Sequence, residues 1–204
     1  MPGKLDEIYI SPKSAAPMQE LPQVNLIAGK GLEGDRYNYA LQTGTYSAGF
    51  IDEPGKNCTL VSADAVEKQM AATGMKAFEG GMGALRRNLV VRGLSGDELN
   101  DMVGHEVQIG SCRLFVHRRT VPCKYREAQC KRPGLMNRLW DAVWKSKFYG
   151  SILHAIDVTP ARWRGDAGSS PTHWLISTQG AAQTIADRTS YSTGFKQQIL
   201  EPDE

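Results

Sequence analysis

The chain has 204 residues, enough to bury a core of its own, so one domain with tails is the first expectation. Hydrophobic residues at 41% and charged residues at 23% describe an ordinary globular protein rather than a disordered one. With 24 basic against 22 acidic side chains the net charge is only +2, which argues against a general nucleic-acid binder, so any bound anion must be held by locally placed arginines.

In chain order, residues 5–10 read as a short apolar strand ended by Ser11-Pro12, and residues 24–28 as a second. The second runs into Gly29-Lys30-Gly31-Leu32-Glu33-Gly34-Asp35-Arg36, whose glycines permit tight turns and close backbone approach. Residues 38–56 show no period and read as loop; residues 58–61 are a brief β-like run. Ser62, a good N-cap, opens the clearest helix, with Ala65, Val66, Gln69, Met70 and Thr73 as its stripe and Gly74 as its stop.

A glycine-rich loop at Gly80-Gly81-Met82-Gly83 leads to Arg86-Arg87-Asn88-Leu89-Val90-Val91-Arg92-Gly93, a β-type apolar centre with arginines at both ends. Residues 97–103 read as one or two helical turns closed by Gly104, and residues 106–109 and 112–117 as a hairpin about Gly110-Ser111. Pro122 opposes a central strand in Arg118-Arg119-Thr120-Val121-Pro122-Cys123. Residues 135–144 carry the pattern of a helix with a broad buried face, residues 151–158 that of a last strand, and residues 167–204 that of a weakly ordered tail. Residues 1–166 are therefore expected as the domain. Many short strands with two or three helices favour an α+β or barrel architecture over a doubly wound sheet.

No segment reaches the roughly 18 consecutive apolar residues of a membrane helix, and residues 1–7 do not read as a secretory signal. A cytoplasmic location with reduced thiols at Cys58, Cys112, Cys123 and Cys130 is the expectation. The cysteines form no Cys-x-x-Cys pair and no finger pattern with histidine, which disfavours a structural zinc site.

Three segments can carry chemistry, and each has a plainer reading beside the functional one. In the Asp35-Arg36 turn the aspartate can simply cap backbone groups, or Arg36 can present a fork of donors to phosphate or carboxylate. Arg86-Arg87-Asn88 can be a solvated strand end, or a cluster of donors at the mouth of a β structure. Cys123 can be a small buried hydrophobe; alternatively Arg118, Arg119 and Lys124 favour its thiolate, a soft ligand suited to transition metals.

In this order, Gly-Leu-Glu-Gly-Asp-Arg, then Arg-Arg-Asn-Leu-Val-Val-Arg-Gly-Leu, then the run over residues 99–110, then Pro-Cys, the chain resembles the MOSC domain family over about residues 5–165. The resemblance implies a mainly β fold with a few helices, a closed, distorted β-barrel of the PK-barrel-like kind, with a cleft for the molybdenum cofactor (molybdopterin). It implies that Cys123 is the catalytic residue and metal ligand, and that Asp35, Arg36, Arg86 and Asn88 bind the cofactor, with Lys13 and Ser14 as a further counterpart. It implies an oxidoreductase that reduces N-hydroxylated compounds, taking a small-molecule substrate and electrons from a separate donor protein, with no nucleic acid and no membrane as partner. Unlike the larger relatives, the chain shows no separate N-terminal domain, no ferredoxin-like cysteine cluster and no flavin segment. Two other functions stay open at this point: a non-catalytic cofactor carrier or sulfur-delivery module using Cys123, and a barrel acting only as an interaction domain.

Overall fold

The computed structural model describes residues 3–13, 15–27, 31–36, 38, 58–74, 76–78, 80–119, 155–160, 173–179 and 184–187. The first strand, β1 (Gly3–Ile10), buries Gly3 and Leu5, then Ile8 and Ile10. That change from odd to even positions follows from a register shift between Leu5 and Glu7, since one extra residue turns the remaining side chains to the other face. Next come β2 (Gln19–Leu21), β3 (Gln23–Ile27) and β4 (Gly31–Leu32), with Gly31 opening β4 at φ +94° and Gly34 at φ +80° in the turn that follows it.

The strand β5 (Cys58–Ser62) is buried at every position and feeds directly into α1 (Ala63–Thr73). Ser62 caps that helix by accepting the Ala65 amide at 3.0 Å, and Gly74 closes it at φ +63°. A 3₁₀ turn at Gly81–Leu85 then leads into β6 (Leu89–Arg92), which runs parallel to β5. Leu89 and Val91 face the main core while Val90 packs with Val66, Phe78 and Leu85 on the other side, so this strand is apolar on both faces. The helix α2 (Gly96–Asp101) opens on a capping box between Ser95 and Glu98. A hairpin of β7 (Glu106–Ile109) and β8 (Cys112–Arg119) turns at Gly110, φ +57°. The last strands are β9 (Ala155–Pro160), β10 (His173–Ser177) and β11 (Thr184–Asp187).

Eight strands form one sheet in the order β11-β7-β8-β9-β5-β6-β1-β2, and β10-β3-β4 form a second. The mainly β composition agrees with the sequence reading, but the expected closed, distorted barrel is corrected: the strands lie in two open sheets. β1 gives the physical reason. Beyond β6 it meets β11, the far end of the strand order, only at Gly3 and Lys4, while residues 8–10 pair with β2, so the two ends of the order touch over a short stretch and are not sealed along the strand.

The stretch 167–204, read as a weakly ordered tail, contains β10 and β11. β10 lies antiparallel to β3 from His173↔Ile27 to Ser177↔Gln23, and Ile176 is fully buried there. The Gly80–Gly83 loop of the sequence reading forms the cap and first residues of the 3₁₀ turn at Gly81–Leu85. The expected helix over 135–144 lies outside the described residues. No helix among the described residues is long and apolar enough to cross a membrane.

Candidate functional site

Strand direction explains why residues far apart in sequence meet. β1 is antiparallel to β6, pairing Ile8 with Leu89, and β5 is parallel to β6, pairing Leu60 with Leu89. The end of β1, the start of β5 and the start of β6 therefore fall at one end of the large sheet. Ser11, Thr59 and Arg86-Arg87-Asn88 lie there, and the turn after β4 adds Asp35 and Arg36. Together with Met18 these residues line a small pocket that is open to solvent.

Asn88 sits at the back of this pocket, 4% exposed. Its Nδ2 donates to the Tyr9 carbonyl at 3.1 Å and to Asp35 Oδ2 at 3.3 Å. Its Oδ1 accepts from the Thr59 amide at 3.1 Å and the Thr59 hydroxyl at 3.0 Å. The Tyr9 carbonyl can only accept and the Thr59 amide can only donate, which fixes the orientation of the side-chain amide. An asparagine has two N–H donors and two oxygen lone pairs, so all four are taken up by the protein.

Asp35 and Ser11 form the second layer. Asp35, 2% exposed, accepts the Ser11 amide at 2.8 Å, and the Arg36 amide donates to the Ser11 carbonyl at 2.9 Å. This reciprocal pair ties the turn after β4 to the end of β1. The Ser11 hydroxyl, itself in a 2% exposed residue, directs its one proton to the carbonyl of Lys13 or of Ala16 and accepts from Arg86 Nη2 at 3.0 Å.

Arg86 is held from both ends. Its backbone closes the 3₁₀ turn at φ +53°, with its amide donating to the Gly83 carbonyl at 2.9 Å. A non-glycine residue in the left-handed region is uncommon and costs of order 1 kcal/mol. Its guanidinium donates through Nη1 to the Ala16 carbonyl and through Nη2 to Ser11. Gly83 lies against the Tyr9 ring so closely that an added Cβ would stand 2.9 Å from Cε1. The Tyr9 hydroxyl donates to Glu7 Oε2 at 2.7 Å, and burial together with that carboxylate pushes its pKa well above the ordinary tyrosine value. Beside these, Arg87 is 3% exposed, while Arg36 and Arg86 are half-buried.

Chemically, this is a cationic recess. Arg36, Arg86 and Arg87 line it, and Asp35, the one acid among the described lining residues, points its Oδ2 at the Ser11 amide and Asn88. Guanidinium forks in a partly desolvated place suit a phosphate or another planar oxyanion, so the donor set fits the phosphate-bearing end of a pterin cofactor. Among the described residues no group of three or more His, Cys, Asp or Glu could hold a metal ion.

The structure brings Asp35, Arg36, Arg86 and Asn88 together, with Asp35 and Asn88 at the back, bonded to protein. Lys13 has an exposed side chain and does not line the pocket; its carbonyl takes part in the turn that holds Ser11. Ser14, Cys123 and Cys130 lie outside the described residues. Sequence reasoning missed Ser11 and Thr59, because small hydroxyl residues at strand ends are common and only register shows which of them face each other. Arg87 stood in the motif without a role. Cys58 and Cys112 are core residues, and burial pushes the Cys112 thiol up to about 12, which makes it inert at neutral pH.

No curated protein sequence matches the chain. Among solved structures, the YuaD protein from Bacillus subtilis superposes with a TM-score of 0.64 at 14% identity, covering 91% of this chain and 94% of that one. YiiM from Escherichia coli gives 0.58 at 13% identity over 95% and 72% of the two chains, and YiiM from Geobacillus stearothermophilus 0.54 at 13% over 91% and 76%. At such identities the likeness concerns the fold. Residues 52–160, more than half of the chain, match the MOSC domain, a family associated with binding of the molybdenum cofactor, and the chain belongs to that family.

Proposed function

We propose that the arginine-lined pocket binds the phosphate and pterin of the molybdenum cofactor, that Cys123 gives the metal its protein ligand, and that the loaded protein reduces N-hydroxylated compounds. One observation carries the binding part of this reading: Arg36 and Arg86, from opposite ends of a long stretch of chain, line one pocket beside the buried Arg87. A solvated strand end would not place them so. The role of Cys123 rests on the Pro-Cys motif.

When bound, the cofactor supplies the oxygen and electron transfer that breaking an N–O bond requires. The chain's own residues bind and orient it. Arg36 and Arg86 supply paired, charge-assisted donors to its anionic end. Asp35, Asn88 and Ser11 hold the two loops that carry those arginines. Positive neighbours, Arg118, Arg119 and Lys124 in sequence, favour the thiolate of Cys123. A separate protein serves as electron donor and a small molecule as substrate.

The experiment is turnover by purified, cofactor-loaded protein with a hydroxylamine-type substrate and an artificial electron donor. Reduction that disappears in Cys123→Ser is the expected result. Bound cofactor with no reduction, and with added sulfur on Cys123 by mass spectrometry, would replace this reading with that of a carrier or sulfur-delivery module.

A further inference from the structure

We propose that Ser11 is a positioning residue that sets Arg36 and Arg86 as one unit, and that Asp35 and Asn88 act through it rather than on a ligand. This rests on the reading of the pocket as an anion site. Ser11 has three polar groups, and each is tied to a different part of the recess. Its amide is held by Asp35 Oδ2 at 2.8 Å. Its carbonyl takes the Arg36 amide at 2.9 Å. Its hydroxyl accepts Arg86 Nη2 at 3.0 Å while donating its one proton toward the carbonyls of Lys13 or Ala16, at 2.9 and 3.1 Å. Ala16 also receives Arg86 Nη1, so the short turn after β1 holds both terminal nitrogens of the guanidinium.

Behind Ser11 the chain of bonds continues inward. Asp35 Oδ2 is held in turn by Asn88 Nδ2, and Asn88 is fixed by Tyr9 and Thr59 on β1 and β5. The rigid sheet is thus connected through Asn88, Asp35 and Ser11 to two arginines on separate loops. Without this connection the long Arg86 side chain would lose more rotamer freedom when a ligand arrives. With it, the Arg86 fork is set in advance and the backbone that carries Arg36 is fixed beside it. Asn88 has no donor or lone pair left for a ligand, so a role for it in binding must pass through the residues it holds.

Ser11→Ala is the informative change, because it removes one oxygen and leaves the backbone bonds to Asp35 and Arg36 in place. The probe is inorganic phosphate, titrated into the full-length protein and followed by NMR. Ser11→Ala should weaken phosphate binding about three- to tenfold, the loss of one net hydrogen bond. In an Arg86→Ala background the same change should weaken it no further, since Ser11 would have no arginine left to position. Equal losses in both backgrounds would mean that Ser11 touches the anion itself and would overturn the proposal.

A second measurement needs no ligand. A pinned Arg86 guanidinium should give separately resolved Nη–H signals in the wild type that average in Ser11→Ala. Averaged signals already in the wild type would overturn the positioning role. Resolved signals in a wild type that takes no phosphate would support the positioning role and instead sink the anion-site reading.

Discussion

Replacing Asn88 by alanine would leave the Tyr9 carbonyl and the Thr59 amide without their side-chain partner in a nearly buried place. Each buried group left so costs ~1–3 kcal/mol, and a drop in the urea midpoint with an unchanged m-value is the expected outcome. An unchanged midpoint would mean that water or a shifted neighbour replaces those bonds. Cys112 makes a separate prediction. Its folded thiol, pushed from the ordinary 9.0 to about 12 by burial, contributes stability that is fully present below the unfolded value and is lost as pH rises through the folded one. Stability should therefore fall across alkaline pH, and Cys112→Ala should flatten that slope in pH-dependent unfolding. At this scale residue types are legible and roles are not. Arg-x-Asn announces donors, but only the register of β1 against β6 shows the asparagine turned inward and the arginine toward the pocket.

At the level of the element, local chemistry was legible wherever a cap or turn is self-contained. Ser62 and Gly74 bound α1 as their types require, and Gly110-Ser111 turns the β7–β8 hairpin. The α2 capping box follows the same logic. The Glu98 carboxyl, held by the amide and hydroxyl of Ser95, lies below the ordinary carboxylate range. Its contribution is present above the unfolded value and lost as pH falls through the folded one. Ser95→Ala should cost about 1 kcal/mol near neutral pH, and the difference from wild type should shrink in acid, as thermal unfolding can measure. Illegible elements were those defined by a distant partner. β10 carries a short β-type run, Trp174-Leu175-Ile176, within a stretch rich in polar residues, and its partner β3 lies far back in the chain. The 3₁₀ turn is set by the Tyr9 ring against Gly83, so Gly83→Ala, at a position without positive φ, should displace the turn by crowding and destabilise the protein by ~1–3 kcal/mol. A crystal structure of that variant should show Arg86 moved; an unmoved Arg86 would mean that its contacts with Ser11 and Ala16 suffice to place it.

For the whole molecule, topology does what composition cannot. A net charge of +2 supplies no general attraction for anions, yet parallel and antiparallel pairing of β5, β1 and β6 brings Arg86 and Arg87 to one end of the sheet, where the turn after β4 adds Arg36. The family could be read from four short motifs in order, whereas the division into two open sheets could not, because closure depends on how far β11 pairs along β1. The most direct test is the molybdenum and pterin content of protein purified from a host that makes the cofactor, comparing wild type, Arg86→Ala and Cys123→Ser. The account predicts both components in the wild type, loss of both in Arg86→Ala, and loss of molybdenum in Cys123→Ser. A wild type free of both, or an Arg86→Ala protein as fully loaded as wild type, would contradict it.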